Sequence, residues 1–105
     1  MIKVKYYYDD EFMLCGFSLK GHADFAEIGY DIVCSAVTSN AVGVINSLDK
    51  LQKVEFEKIV AKEGHIECLV KDKDKEVAQL LLQHFKLAVE EIKREYPKNI
   101  KILKK

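Results

Sequence analysis

Residues 31–53, DIVCSAVTSNAVGVINSLDKLQK, set Val33, Val37, Ala41, Val44, Leu48 and Leu51 at intervals of 4-4-3-4-3. That spacing stacks the six apolar side chains along one stripe of an α-helix, the pattern of a helix that covers a core on one side. Asp31 stands where an N-cap belongs, with a carboxylate suited to accept hydrogen bonds from first-turn amides. The stretch therefore reads as a helix from Asp31 to about Lys53.

Strand patterns flank that helix on both sides. Before it, Ile2, Val4, Tyr6 and Tyr8 alternate with Lys3, Lys5 and Tyr7, the period-two signature of a half-buried strand. Asp9-Asp10-Glu11 reads as a turn, and residues 12–19 read as a second strand with apolar residues on both faces. From Lys20 to Tyr30 the periodicity is lost, and Gly21 and Gly29 bracket a loop. After the helix, residues 54–60 and 65–70 read as a hairpin turned at Glu63-Gly64, with Ile66, Cys68 and Val70 sharing a face. A second helix from about Asp74 to Glu95 aligns Val77, Leu81, Phe85, Ala88 and Ile92 ahead of Pro97, and residues 100–103 form a short last strand. The order β-β-α-β-β-α-β predicts an α+β fold: a two-layer domain with two helices on a largely antiparallel sheet, one domain over residues 1–105.

Composition narrows the function classes. A chain of 105 residues, 49% hydrophobic and 32% charged, carries enough apolar surface for one core. Lys and Arg total 17 and Asp and Glu total 17, so the net charge is zero, whereas proteins that grip phosphate backbones normally carry a basic excess. The six basic residues within 93–105 (Lys93, Arg94, Lys98, Lys101, Lys104, Lys105) read as a solvated helix end and terminus. Apolar runs fall far short of the ~20 residues that span a bilayer, and the N-terminus lacks the apolar core of a signal peptide. A cytoplasmic protein with no membrane and no direct nucleic acid partner is expected. Three cysteines without a CxxC pair disfavour a disulfide scaffold or a four-ligand zinc site, and neither a metal nor a cofactor is expected.

Among the thiols, Cys15 and Cys68 fall in strand patterns and read as small buried hydrophobes. With Asp31 as N-cap, Cys34 is the third helical residue, where the amide dipoles favour a thiolate and the free amides face any oxyanion formed beside the sulfur. Position alone leaves Cys34 either a reactive thiol or a small core-edge residue. His65 and His84 read as surface residues, while His22 follows Gly21 where the second strand gives way to the loop. If that strand end passes beside the first helical turn, His22 reaches Cys34, and a Cys–His pair suffices for acyl transfer. Thr38, one turn after Cys34, either steadies the nucleophile or a substrate carbonyl, or bonds back to the Cys34 carbonyl.

Gly21-His22-Ala23, followed by Gly29-Tyr30-Asp31-Ile32-Val33-Cys34-Ser35-Ala36-Val37-Thr38, resembles the signature of the ribosomal-processing cysteine protease family, Prp. That signature is a GHA segment, a short glycine-containing loop, then DIVC and a run of small residues. The resemblance is specific over Gly21–Thr38; beyond it, length and element order agree. It implies a bacterial cytosolic endopeptidase, homodimeric, that removes the N-terminal extension of a large-subunit ribosomal protein. Position by position, it makes Cys34 the nucleophile and His22 the general base and acid. Asp31 matches the motif aspartate, either orienting His22 or only capping the helix. Thr38 stands where some relatives have serine and Ser35 where alanine is frequent, and both are candidates for substrate or oxyanion support.

Two further expectations concern assembly and motion. The two apolar faces of the second strand point to a homodimer. Residues 20–30 read either as a lid hinged at Gly21 and Gly29 that closes over a ribosomal-protein precursor, or as an ordered plug. The competing functions are a non-catalytic ribosome- or RNA-binding module, using the basic tail and the Tyr6-Tyr7-Tyr8 run, and a thiol redox protein, for which no resolving cysteine lies near Cys34 in sequence.

Overall fold

Two layers are built from β1 (Ile2–Tyr8), β2 (Leu14–Lys20), α1 (Ile28–Lys50), β3 (Phe56–Lys62), β4 (His65–Val70), α2 (Lys75–Glu95) and β5 (Ile100–Leu103). The computed structural model describes the backbone of residues 1–21 and 28–103, and the side chains of 1–21 and 32–103. The strands form one sheet in the order β3-β4-β2-β1-β5. Among the described residues β1–β5 is the one parallel pair; β1–β2, β2–β4 and β3–β4 are antiparallel. The α+β class, the element order and the largely antiparallel sheet agree with the sequence reading.

One sheet face carries the core. Ile2 and Val4 of β1, Phe17 and Leu19 of β2, and Ile66, Cys68 and Val70 of β4 are buried against Val33, Val37, Ala41, Val44 and Leu48 of α1. From α2 come Ala78, Leu82, Phe85 and Val89, and the Phe85 ring stacks on Phe17 with centroids 3.8 Å apart. By length and composition, Ile32–Lys50 would also suffice to cross a membrane. Here its buried row is spent on the sheet.

Several boundaries differ from the sequence reading. α1 begins at Ile28 rather than Asp31, so Asp31 lies inside the first turn instead of capping it, and Gly29 is the second helical residue instead of the far hinge of a loop. The side chain of Asp31 lies outside the described residues. At its other end α1 stops at Lys50. Leu51 and Gln52 both donate to the Ser47 carbonyl, Lys53 turns left-handed (φ 57°), and Val54 donates back to Leu48. That reversal carries Val54 into the core and leaves Leu51, expected on the buried stripe, 78% exposed.

β2 carries apolar residues on one face only. Its register with β1 shifts between Tyr7↔Gly16 and Tyr8↔Leu14, so Cys15 sits in a bulge. The extra residue puts Leu14 in phase with Phe17 and Leu19 on the helix face, while Phe12 lies outside the strand at φ 63°, almost fully exposed. In α2 the buried row is 78-82-85-89, one step round from the expected one, because the Phe85–Phe17 stack sets the rotation and leaves Val77 half exposed.

Candidate active site

Cys34 is the seventh residue of α1, half-buried, with Val33 and Val37 fully buried beside it. At 100° per residue, Cys34 and Thr38 share one flank of the helix, Thr38 also half-buried and Ser35 exposed. The opposite flank, Ser39, Asn40, Gly43 and Ser47, faces α2 across a groove that also contains Leu81 and His84. Cys34 therefore looks away from α2.

The other two thiols have different surroundings. Cys68 is fully buried between Phe17 and the helices, and burial pushes its thiol up to about 12. Cys15 lies in the β2 bulge, where its Sγ donates to the Tyr7 carbonyl at 3.3 Å. β2 runs from that bulge towards Lys20, and α1 returns from residue 28, so the bulge and Cys34 belong to opposite ends of the sheet.

The histidines separate as well. His84 lines the α1–α2 groove, on the flank that Cys34 does not share. His65 faces the helix-free side of the sheet, with Nε2 3.0 Å from Glu67 Oε1. His22 lies outside the described residues; the amide of Gly21, the residue before it, donates to the Gly64 carbonyl at 3.2 Å. The near hinge of the expected lid is thus fastened to the β3–β4 turn; the lid's interior falls outside the described residues.

Starting α1 at Ile28 alters the electrostatic argument for Cys34. The unbonded amides of an α-helix belong to its first turn, and the Cys34 amide falls one turn further in, where it joins the i→i−4 ladder. The free first-turn amides expected beside a third-position cysteine therefore lie about one turn before Cys34. Ile32, Ala36 and Ser39 form a further row on α1. With Ser35 they line a shallow, open depression of about 560 Å³ on the solvent side of α1. Their i, i+3, i+4, i+7 spacing with Ser35 places them on one face of the helix.

The family model for cysteine protease Prp matches residues 1–101. The chain belongs to this family. Its relatives include the ribosomal processing cysteine protease Prp of Staphylococcus aureus, 29% identical over 106 residues and 97% of each chain, and that of Bacillus subtilis, 29% identical over 94 residues, 85% of this chain and 84% of the relative. The crystal structure of the S. aureus Prp with a substrate peptide superposes with a TM-score of 0.89 at 30% identity over all of both chains. The same enzyme with a covalently linked product peptide gives 0.84 at 31% identity, again over all of both chains. The fold is thus that of the Prp proteases, and this chain is a cysteine protease of the ribosomal-processing family. Within a Prp protease, one thiol must be open to a peptide. Cys68 is buried, whereas Cys15 and Cys34 are both half-buried.

Proposed function

We propose that this Prp-family protease is an endopeptidase that removes the N-terminal extension of a large-subunit ribosomal protein, with Cys34 as nucleophile and His22 as general base and acid. The half-open position of Cys34 on α1 carries this reading, against a sealed Cys68 and a Cys15 held to the Tyr7 carbonyl. His22 takes the thiol proton, Cys34 Sγ attacks the scissile carbonyl, and the tetrahedral intermediate collapses as His22 protonates the leaving amine. Water, deprotonated by His22, then hydrolyses the thioester and frees the product carboxylate. A covalently linked product on the S. aureus enzyme supports an acyl-enzyme route. Thr38 shares the flank of Cys34 and is suited to meet the substrate carbonyl.

The protein is further proposed to act in the cytoplasm as a homodimer. The bulge in β2 leaves that strand apolar on one face, so β2 offers no second apolar face for dimerisation. The outer side of α2 replaces it, with Val77, Leu80 and Leu87 all at least half exposed and spaced along one side of the helix. Light scattering is expected to give a dimer mass for wild type and a monomer mass for Leu80→Glu/Leu87→Glu; a monomeric wild type at micromolar concentration rejects this part. The catalytic assignment is tested by incubation with a large-subunit ribosomal-protein precursor and mass spectrometry of the products. Wild type is expected to release the N-terminal extension, while Cys34→Ala and His22→Ala leave the precursor intact.

A further inference from the structure

The helix-free face of the sheet gathers charge that the zero net balance conceals. Partners in a β-ladder point to the same face, so the register defines rows across all the strands. One row reads Lys62 (β3), His65 (β4), Lys20 (β2), Lys3 (β1) and Lys101 (β5). Four ammonium groups and an imidazole thus lie side by side across the full sheet, a row roughly 19 Å long at ~4.8 Å per strand. Lys3, Lys20, Lys62 and Lys101 are exposed, and none has an ion-pair partner among the described residues. Like charges placed directly opposite one another on a sheet oppose folding, so such a row gains from an external anion.

The surroundings reinforce this. Lys5 and Lys58 lie on the same face, and Glu67, the one carboxylate at a register position there among the described residues, is already matched. Glu67 accepts from the Tyr7 hydroxyl at 2.7 Å, approaches His65 at 3.0 Å and pairs with Lys58 at 3.4 Å. The same bond pins Tyr7, a partly exposed residue four positions along β1 from Lys3, with the Lys5 ammonium 5.6 Å from its ring centroid. Tyr6 and Tyr8 take no part: Tyr6 is buried in the core, and Tyr8 turns to the helix side, where Lys86 donates to its hydroxyl.

We propose that this face is a docking surface for single-stranded RNA, the lysine row tracking the phosphate backbone and the fixed Tyr7 ring offering a stacking platform for a base. A linear polyanion matches a linear row of cations, and lysines with an aromatic on an open sheet are the elements of sequence-tolerant single-strand binding. The row lies at the end of the sheet where β2 leads into Gly21, on the face opposite α1. Bound RNA would therefore hold the protein beside its target without entering the peptide site. The inference does not depend on the catalytic assignment.

Fluorescence anisotropy with a labelled 12-mer oligouridylate tests it. Neutralisation of four phosphates on a single strand predicts binding that weakens about 50-fold from 50 to 200 mM salt. Lys3→Gln/Lys62→Gln/Lys101→Gln is expected to bind at least tenfold more weakly at 50 mM salt and to lose about two units of the log–log salt slope, with an unchanged circular dichroism spectrum. Cys34→Ala is expected to bind as wild type does. No binding by wild type at 50 mM salt, or equal binding by the triple variant, overturns the proposal. So does binding to phosphatidylserine vesicles without binding to oligouridylate, which would assign the face to a membrane surface.

Discussion

The amide of Gly21 donates to the carbonyl of Gly64 at 3.2 Å, tying the strand that leads into His22 to the turn between β3 and β4. Gly64 sits at φ 79°, and a Cβ there would lie 3.0 Å from the Gly21 oxygen. Gly64→Ala therefore meets both a left-handed backbone and a tight contact. It is expected to cost about 1–2 kcal/mol in urea unfolding and to lower kcat/KM, because the end of β2 must shift to accept the methyl group. An unchanged unfolding midpoint together with unchanged activity would show that this tie does not position the site.

Gly16 presents a stricter case. A Cβ there would collide with the Cys68 carbonyl, backbone against backbone, beside the Cys15 bulge. Gly16→Ala is expected to destabilise the fold by about 1–3 kcal/mol, since no flexible side chain can give way. Denaturant titration measures this, and a loss within error of zero contradicts the close approach of β2 and β4.

Glu67 links the sheet to pH. Burial alone would raise its carboxyl, but hydrogen bonds from Tyr7 and His65 and the charge of Lys58 outweigh it and hold the group below the ordinary glutamate value. A carboxyl depressed in the folded state contributes stability above its unfolded pKa, and that contribution is lost as pH falls through the folded value. The melting temperature of wild type should therefore fall more steeply from neutral pH to about pH 3 than that of Glu67→Gln. Parallel curves would mean that the network does not favour the carboxylate.

Thiol labelling separates the three cysteines. Iodoacetamide should modify Cys34 first in the folded protein and leave Cys68 unmodified until denaturant is added, because burial pushes the Cys68 thiol up to about 12. Peptide mapping after short exposure reads this order. Faster labelling of Cys15 or Cys68 contradicts the placement of Cys34.

Much of this architecture was legible because its signals are local. The 4-4-3-4-3 stripe of α1, the alternation in β1 and the turn at Glu63-Gly64 each depend on residues a few positions apart. The errors arose where tertiary geometry overrides local pattern. An inserted residue at Cys15 breaks the alternation of β2, so a one-sided strand reads as apolar on both faces. The left-handed Lys53 turns the chain before Leu51 can bury, and α2 offers adjacent apolar rows between which only the Phe17–Phe85 stack decides. At the candidate site, the one-turn spacing of Cys34 and Thr38 places both on one half-buried flank of α1. The electrostatic rationale for Cys34 was not sound, because the first turn of α1 starts at Ile28. The lysine row was invisible in the sequence, since Lys3, Lys20, Lys62 and Lys101 meet only through the register of the strands.

The most direct measurement of the central claim is the mass of the acyl-enzyme. Wild type mixed with a ribosomal-precursor peptide and quenched in acid within one turnover should carry the N-terminal product as a thioester, mapped by fragmentation to the tryptic peptide containing Cys34. Cys34→Ala should show neither the adduct nor cleavage. An adduct on Cys15 or Cys68, or cleavage that survives in Cys34→Ala, would contradict the account.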